Sequence, residues 1–346
     1  MKKDLWQYLE TAEKPIVLYG MGNGADKIIN ILNSRGIKIS GVFASDGFVR
    51  KKIFHGFQIE TYAEIRERLG NVIVLVCFGS SLTDVIANIE RIAKEQELYA
   101  PEVPVYGDGQ FTLDYAQKNR DRFEKIYNIL ADELSRKTFE CIVNYKLGGD
   151  IKFLKACEVT PDEPFENILK LSDKETYIDL GAYTGDTVKQ FTTAVSGKYR
   201  KIYAVEPDKK TFSRLKANTS CTKDIELINA CISDKCGTLT FKNNGGRNSA
   251  VDEAGLITDC TTVDAILNGN SATYIKMDVE GEEIAAIRGS ERTVKAYKPK
   301  MLISCYHRTD DMLSIPEAVF AMHGDYKLFM RHYMYIPAWD TNYFFV

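Results

Sequence analysis

One segment limits the fold more than any other: an apolar strand that runs into a glycine turn and then into a helix. Residues 177–180 end the strand, Gly181 and Gly185 lie in the turn, and helical spacing begins directly afterwards. Glycine is needed in such a turn because the backbone takes up unusual φ angles and a ligand must approach it closely. The segment therefore predicts an open α/β sheet with a ligand at the carboxyl ends of its strands.

Two acidic residues accompany this turn. Asp179 comes at the end of the strand, where its carboxylate could meet an amino group of a ligand. Glu206 ends the next strand, 21 residues after Gly185, where an acid can accept hydrogen bonds from both ribose hydroxyls of a nucleoside. The turn reads GxxxG, whereas a pyrophosphate site would show GxGxxG. This spacing favours a nucleoside with a cationic tail and no phosphate, such as S-adenosylmethionine, over a turn that is only structural.

Short apolar strands alternate with amphipathic helices in both halves of the chain, which is typical of parallel sheets covered on both faces. Strands of the first half are predicted at residues 16–19, 37–43, 72–78 and 103–106. Those of the second half are predicted at 176–180, 201–205, 226–230, 272–277, 300–306, 326–331 and 343–346, with an antiparallel closing hairpin. Between the halves, residues 113–147 show only helical spacing. The predicted α/β chain has two doubly wound Rossmann-like domains, 1–110 and 151–346, joined by a helical connector, 111–150.

Four motifs follow one another in the second half. They are the glycine turn at 177–187, the segment 225–234, TTVDAIL at 261–267 and YIKMDVEGEE at 274–283. In this order they resemble motif I, the third-strand element that flanks the adenine, the TLDxLL element and the hKIDVEGxE signature of the FkbM family of class I methyltransferases. The resemblance implies S-adenosylmethionine-dependent methyl transfer to a hydroxyl of a sugar, glycan precursor or related small metabolite, and so a role in glycan biosynthesis. It implies that the cofactor is bound by Asp179, Gly181, Ala182, Gly185, Glu206, Ala230 and Asp278.

Methyl transfer from a sulfonium to a hydroxyl needs an aligned acceptor and a base for the proton that the hydroxyl loses. Asp278 ends the fourth strand, at the sheet edge where ligands bind, and is the first choice for this base. Glu280 either shares that role or makes a loop or helix-cap hydrogen bond. His307, at the end of the fifth strand, has an acid–base, acceptor-binding or purely structural role. The sequence lacks an Asp or Asn followed by Pro-Pro and an aromatic residue, which favours an oxygen acceptor over a base nitrogen.

The same groups could hold a divalent metal. Asp278, Glu280, His307 and His332 combine carboxylates with imidazoles, but no ligand spacing in the sequence requires a metal, so none is favoured. A polar, glycine-rich segment at residues 243–249 is either an acceptor-binding loop or a flexible hairpin.

A second glycine loop opens the first half of the chain. Gly20 and Gly22 belong to a GxGxxA pattern between a strand and a helix, and Asp46 follows the next strand, about where a ribose-binding acid belongs. The segment most resembles the amino-terminal Rossmann-like domains of glycan-biosynthesis proteins, which implies either a nucleotide or nucleotide-sugar ligand or a scaffold without one. Two other functions stay open: an NAD-dependent oxidoreductase that uses this first domain, and a non-catalytic nucleotide-binding or assembly protein.

Composition argues against several other classes. Lys and Arg number 45 against 48 Asp and Glu, so the chain lacks the basic surplus typical of proteins that hold nucleic acid. The longest apolar run, residues 72–78, is far too short for a membrane span of about 20 residues, and the first residues do not read as a signal peptide. Eight scattered cysteines without a CxxC pair indicate reduced thiols and a cytoplasmic protein. The helical connector is either a homodimer face or the packing between domains.

Overall fold

The amino-terminal part of the chain forms a mainly parallel sheet. The computed structural model describes residues 3–45, 47, 53–107, 109–242, 250–251 and 256–346. Within them, the strands of this sheet are β1 (Ile16–Tyr19), β2 (Ile39–Phe43), β3 (Ile53–Phe54), β4 (Phe57–Glu60), β5 (Ile73–Val76) and β6 (Glu97–Tyr99). Their order across the sheet is β3-β4-β2-β1-β5-β6. Every residue of β1 and β5 is buried, as expected for central strands that are covered on both faces.

Four helices alternate with the strands of this sheet along the described part of the chain. They are α1 (Leu5–Leu9), α2 (Asn23–Ser34), α3 (Tyr62–Leu69) and α4 (Thr83–Glu95). Helix α3 begins at a capping box, in which the side chains of Thr61 and Glu64 each accept a hydrogen bond from the backbone N–H of the other. Helix α4 buries Ile86, Ile89 and Ile92 on one face, which fixes that face against the sheet.

The strand predicted at residues 103–106 is absent, and this prediction is wrong. The edge strand is β6, a few residues earlier in the chain. Pro101 and Pro104 lack the N–H that strand pairing requires, so the chain leaves the sheet here. The N–H of Tyr106 instead donates to the carbonyl of His307 (2.9 Å). The segment therefore reaches across to the second half of the molecule.

Helices α5 (Leu113–Lys118), α6 (Arg120–Ile129) and α7 (Glu133–Gly148) form the predicted helical connector. Helix α7 starts at Asp132, whose side chain accepts a hydrogen bond from the N–H of Ser135, and it ends at Gly149 in a left-handed conformation. Asp132 also pairs with the buried Arg331 of the second sheet (2.7 Å). Helix α7 thus packs against its own chain, and a homodimer through this connector stays a prediction.

A larger sheet forms the second half of the molecule. Its strands are β7 (Glu158–Val159), β8 (Thr176–Leu180), β9 (Lys201–Val205), β10 (Ile225–Ile228), β15 (Tyr274–Met277), β16 (Lys300–Ser304), β17 (Leu328–Tyr333) and β18 (Thr341–Phe345). A smaller sheet beside it contains β11 (Cys231–Ile232), β12 (Gly237–Lys242), β13 (Ala250–Val251) and β14 (Leu256–Thr261). The helical segments are α8 (Lys152–Lys155), a π-helical turn (Phe165–Leu169), α9 (Asp186–Ala194), α10 (Lys209–Asn218), α11 (Val263–Leu267), α12 (Glu283–Arg288), α13 (Glu291–Tyr297) and α14 (Asp311–Met322).

The strand order of the larger sheet creates a ligand cleft. It runs β10-β9-β8-β15-β16-β18-β17-β7, so the chain first moves outward from β8 and then returns to the other side of β8 at β15. Ligands of open α/β sheets bind outside the carboxyl ends of the strands at such a reversal. Strand β18 is antiparallel to both β16 and β17, as the predicted closing hairpin requires. The α/β fold class is confirmed, whereas the domain boundaries at residues 110 and 150 stay predictions.

The eight cysteines are all free. No helix among the described residues is both long and apolar enough to cross a membrane.

Candidate active site

A cleft of about 350 Å³ opens at the strand reversal between β8 and β15. That volume lies in the range of small-molecule sites. The cleft is lined by Val105, Pro161, Gly181, Tyr183, Asp186, Thr187, Gln190, Val205, Glu206, Pro207, Thr211, Ala230, Cys231, Ile232, Lys276, Asp278, Val279, Glu280, Glu282, Tyr306, Tyr333, Tyr335, Trp339 and Asp340. It therefore collects Gly181, Glu206, Ala230, Asp278 and Glu280 from the predicted site residues.

The glycine turn after β8 has no room for a side chain at Gly181. Gly181 has a φ of +78°, and a Cβ atom there would lie 1.9 Å from the carbonyl oxygen of Asp278. Gly185 has a φ of +92° and precedes the first turn of α9. The backbone N–H groups of Gly181 and Ala182 both donate to the carbonyl of Val205 (3.0 and 2.9 Å). These constraints hold the turn against β9 and leave Ala182 fully buried, outside the cleft lining.

Glu206 presents a nearly buried carboxylate to the cleft. It follows β9, is 7% exposed and accepts hydrogen bonds from the N–H groups of Tyr183 (3.1 Å) and Asp208 (2.9 Å). Burial raises the pKa of Glu206 to about 7. Because each carboxylate oxygen can accept more than one hydrogen bond, acceptor capacity remains for a ligand.

Asp179 lies beneath the cleft rather than in its lining. Its carboxylate is fully buried and accepts a hydrogen bond from Oγ1 of Thr187 (2.5 Å). Nζ of Lys276 lies 3.4 Å from Oδ1 of Asp179 and donates to the carbonyl of Gly181 (2.9 Å). Asp179 thus contacts Thr187 of α9 and Lys276 of β15, and contact with a ligand amino group stays a prediction.

Lys276 is a site residue that sequence reasoning missed. It is a buried lysine inside β15, all of whose residues are buried, and it also lines the cleft. Burial acts to lower the pKa of Lys276, but Asp179 and Asp278 raise it, so the ammonium stays charged. A lone lysine in an otherwise apolar strand was the signal available in the sequence, because buried charges are rarely left without partners.

Asp278 follows β15 and presents its carboxylate to the cleft. Its side chain is 32% exposed, and Oδ1 accepts a hydrogen bond from Oη of Tyr306 (3.3 Å). Nζ of Lys276 lies 3.9 Å from Oδ2, and Nε2 of His307 lies 3.4 Å from Oδ1. Burial acts to raise the pKa of Asp278, but these two cations hold it below its usual range. Asp278 is therefore ionised at neutral pH.

The loop after Asp278 holds Glu280 in an unusual backbone conformation. Glu280 has a φ of +53°, which is rare for a residue with a side chain, and Gly281 follows with a φ of +96°. Oε2 of Glu280 lies 3.7 Å from Nε2 of His307. Glu280 lines the cleft, so the loop places a second carboxylate close to Asp278.

His307 lies behind the cleft wall and is fully buried. Its Nδ1 lies 2.9 Å from Oε1 of Glu283, and its Nε2 faces Asp278 and Glu280. Burial acts to lower the pKa of His307, but Glu283, Asp278 and Glu280 raise it to about 10. The imidazole is therefore positively charged at neutral pH, and in that state it can donate a proton but cannot accept one.

The contacts among these residues do not require a metal. Ligand atoms of Asp278, Glu283 and His307 lie within 4.8 Å of one another, which a metal could use. However, the two ring nitrogens of His307 face different carboxylates, and ion pairing with a charged imidazole accounts for both contacts. We therefore derive no step through a metal.

His332, the fourth residue of the predicted metal set, does not line the cleft. It is fully buried, its Nδ1 lies 3.0 Å from Oγ1 of Thr341, and burial lowers its pKa to about 3. The imidazole is neutral and belongs to the core. His332 alternates with Tyr333 along β17, and it is Tyr333 that faces the cleft.

Aromatic side chains from the last part of the chain form one wall of the cleft. Tyr333, Tyr335 and Trp339 line the cleft together with Tyr306 and Asp340. The hydroxyl of Tyr333 has no hydrogen-bond partner among the described residues. Sequence reasoning missed this wall, although three aromatic residues within seven positions were a usable signal.

The first glycine loop lies against Phe78 at Gly20 but is open at Gly22. Gly20 has a φ of +108°, and a Cβ atom there would lie 2.4 Å from Cδ1 of Phe78. Gly22 has a φ of +99° and open space around it. Asp46 and the predicted acceptor loop at 243–249 lie outside the described residues. A nucleotide or nucleotide-sugar at Gly20 and Gly22 stays a prediction.

Two comparisons identify the second half of the chain. The methyltransferase FkbM domain matches residues 179–337. The crystal structure of methyltransferase FkbM from Methylobacillus flagellatus KT is similar with a TM-score of 0.74, at 20% sequence identity, over 96% of this chain and 90% of that one. At this identity the similarity shows the fold, and it extends over both halves.

Weaker matches include precorrin-6y C5,15-methyltransferase from Geobacter metallireducens GS-15, with a TM-score of 0.35 and 10% identity over 53% of this chain and 84% of that one. Aeropyrum pernix fibrillarin, with natively bound S-adenosyl-L-methionine, has a TM-score of 0.34 and 13% identity over 51% of this chain and 69% of that one. None of the curated proteins matches the sequence. Residues 179–337 of this chain, which include Glu206, Asp278 and Glu280 of the cleft lining, are thus similar to the methyltransferase FkbM domain.

Proposed function

We propose that this chain is an S-adenosylmethionine-dependent O-methyltransferase that acts on a hydroxyl of a sugar, glycan precursor or related small metabolite. One observation carries the proposal: the glycine turn after β8, the carboxylate of Glu206 and the carboxylate of Asp278 line one cleft of the FkbM methyltransferase domain. In this proposal the glycine turn lets the cofactor approach the backbone closely, Glu206 recognises its ribose, and Asp278 receives a proton.

Glu206 would accept hydrogen bonds from the ribose hydroxyls of the cofactor, and the turn at Gly181 would hold its methionine end. The apolar part of the lining near Ala230 and Ile232 suits an adenine ring. The two backbone N–H groups that bind Glu206 keep its carboxylate pointing into the cleft. Preorganised acceptors of this kind cost little reorganisation when the ligand binds.

Asp278 is the base of the reaction. The acceptor oxygen attacks the methyl carbon in line with the carbon–sulfur bond, so that a carbon–oxygen bond forms as the carbon–sulfur bond breaks. The electron pair of the broken bond stays on sulfur, which becomes a neutral thioether, and the hydroxyl proton passes to Asp278. Alignment and a base within hydrogen-bond reach supply the acceleration. Charged His307 does not compete for this proton, because it already carries one.

The acceptor lies between Asp278 and the aromatic wall. Tyr335 and Trp339 offer flat apolar faces, while Glu280 and Asp340 offer acceptors for hydroxyl donors. This mixture supports a polyhydroxylated ring such as that of a sugar.

Calorimetric titration with S-adenosylhomocysteine tests the proposal. We expect one site per chain, and we expect Glu206→Gln to weaken binding by about tenfold or more, since hydrogen bonds to a charged group are lost. Glu226→Gln is the matched control, because Glu226 is an exposed glutamate that pairs with Lys201 away from the cleft (3.2 Å). Absence of binding at millimolar ligand would overturn the proposal.

Methyl transfer itself is tested with a panel of free sugars, glycosides and nucleotide-sugars. Mass spectrometry should find one added methyl group on a hydroxyl of at least one acceptor, and Asp278→Asn should lower that turnover by about a hundredfold or more. Transfer to nitrogen alone would contradict the proposed oxygen acceptor.

A further inference from the structure

Three charged side chains lie in a row that ends at the cleft. Oε1 of Glu283 is 2.9 Å from Nδ1 of His307, and Nε2 of His307 is 3.4 Å from Oδ1 of Asp278. Glu283 and His307 are buried, whereas Asp278 lines the cleft. The imidazole therefore connects a carboxylate that no ligand can reach to the carboxylate that faces the ligand.

The fold holds Glu283 in this place. Glu283 is the first residue of α12, and its Oε1 accepts a hydrogen bond from the N–H of Val279 (2.9 Å). Val279 directly follows Asp278 in the chain. The Glu283 carboxylate is thus fixed to the same loop that carries Asp278, and the same oxygen, Oε1, contacts His307.

Other charged groups around His307 do not replace this contact. Glu280 faces Nε2 from the cleft side, together with Asp278. Asp311 of α14 is buried and accepts a hydrogen bond from the N–H of Arg308 (2.7 Å), and burial together with Glu283 raises its pKa to about 7. Among the described residues, Glu283 is the carboxylate that lies within ion-pair distance of Nδ1.

The energetics require such a partner. A charged imidazole or carboxylate buried alone is strongly unfavourable, and removal of one member of a buried pair leaves the other without compensation. The negative charge of Glu283 at Nδ1 compensates the positive charge of His307. His307 can therefore remain charged while its Nε2 faces the two carboxylates of the cleft.

We propose that Glu283 is a positioning residue for methyl transfer: it binds Nδ1 of His307 and directs a protonated Nε2 at Asp278 and Glu280. Glu283 acts through His307 and touches neither cofactor nor acceptor. Its effect is to hold the Asp278 carboxylate ionised and oriented toward the acceptor hydroxyl. The role of Glu283 in catalysis rests on the proposed function, but the ion pairs among Glu283, His307 and Asp278 can be tested without any substrate.

Nitrogen-15 NMR of the histidine side chains in the full chain is the direct test. The chain has four histidines, and His307→Gln identifies the signals of His307 by their loss. In the unmodified protein we expect both nitrogens of His307 to carry protons at pH 8. Glu283→Gln should lower the pKa of His307 by about one to three units, because the opposite charge at Nδ1 is removed.

Glu175→Gln is the matched control for this experiment. Glu175 is also buried, and it accepts hydrogen bonds from Ser172 and Thr273 at the opposite end of β8. This control should leave the pKa of His307 unchanged. Glu283→Asp keeps the charge and should leave His307 protonated at neutral pH, so it serves as the second variant if Glu283→Gln does not fold.

A neutral His307 at pH 7 in the unmodified protein, or a pKa that Glu283→Gln leaves unchanged, would overturn the inference. With an acceptor that gives turnover, Glu283→Gln should lower kcat by about tenfold or more with little change in KM for the cofactor. An unchanged kcat in the folded variant would also overturn it. Failure of the unmodified protein to bind S-adenosylhomocysteine would instead count against the proposed function and leave the NMR result standing.

Discussion

Glu206 combines burial with a place in the cleft lining, and this combination gives it a pKa that matters at physiological pH. Its carboxyl group is 7% exposed, and burial raises its pKa to about 7. Two backbone N–H groups oppose this effect but do not cancel it. A ribose recognised through two donated hydrogen bonds is bound best by the ionised form.

We therefore expect affinity for S-adenosylhomocysteine to rise with pH. About a tenth of Glu206 is ionised at pH 6 and about nine tenths at pH 8, so the dissociation constant should fall by about tenfold between them and then level off. Calorimetry at a series of pH values measures this directly. Glu206→Gln should bind more weakly at a nearly constant affinity. A flat profile for the unmodified protein would contradict the assignment of Glu206.

At this scale the sequence predicts residue types better than it predicts contacts. Glu206 and Asp278 could be found because an acid at a strand end has a recognisable position. Asp179 was found for the same reason, but its carboxylate turns beneath the cleft toward Lys276. The direction in which a charged side chain points depends on which neighbours can compensate its charge. Those neighbours, such as Lys276 for Asp179, come from distant parts of the chain.

Among elements, the turn between β8 and α9 depends most strictly on its residue type. A Cβ atom at Gly181 would lie 1.9 Å from the carbonyl oxygen of Asp278, in addition to the cost of a left-handed φ. Gly197 has a similar φ of +71° but no atoms within 4 Å of the same position. Substitution of Gly197 therefore measures the stability lost through the left-handed backbone alone, whereas substitution of Gly181 adds the loss caused by the close contact.

Gly197→Ala should reduce the free energy of unfolding by about 1–2 kcal/mol, the ordinary cost of a left-handed residue with a side chain. Gly181→Ala should reduce it by clearly more, because the loop at Asp278 must move, and it should also weaken binding of S-adenosylhomocysteine. Urea unfolding and calorimetry measure the two effects. Equal losses of stability would contradict the described contact at Gly181.

Strands with a strong apolar pattern and a glycine or acid at the end could be predicted almost to the residue. The predicted strands at 176–180 and 201–205 coincide with β8 and β9. The segment at 103–106 was read as a strand because of its apolar residues, although its prolines prevent pairing. The small sheet of β11 to β14 was missed because β11 and β13 have only two residues each and because the pairing of β12 with β14 is not visible in a local pattern.

At the scale of the whole molecule, the amino-terminal and carboxyl-terminal halves contact each other next to the aromatic wall. The backbones of Ser80 and Ile336 exchange two hydrogen bonds (2.8 and 3.0 Å), which joins the end of the first sheet to the segment that carries Tyr335 and Trp339. A Cβ atom at Gly79 would lie 2.4 Å from Cζ3 of Trp339. The amino-terminal half therefore supports the side of the cleft that we assign to the acceptor.

Gly79→Ala should displace Trp339 without disturbing the cofactor. The chain has two tryptophans, so Trp339 can be observed alone in a Trp6→Phe background. We expect a changed emission of Trp339 and an affinity for S-adenosylhomocysteine that stays within about twofold. Gly324→Ala, with open space around it, should change neither. Unchanged emission, or a loss of affinity as large as that of Glu206→Gln, would contradict the assignment of the Trp339 side of the cleft to the acceptor and of the Glu206 side to the cofactor.

A crystal structure of the full chain with S-adenosylhomocysteine tests the central claim most directly. The account predicts the ribose hydroxyls within hydrogen-bond distance of the Glu206 carboxylate, the methionine end over the turn at Gly181, and the sulfur on the side of Asp278. A ligand bound elsewhere, or one in this cleft with its ribose turned away from Glu206, would contradict it.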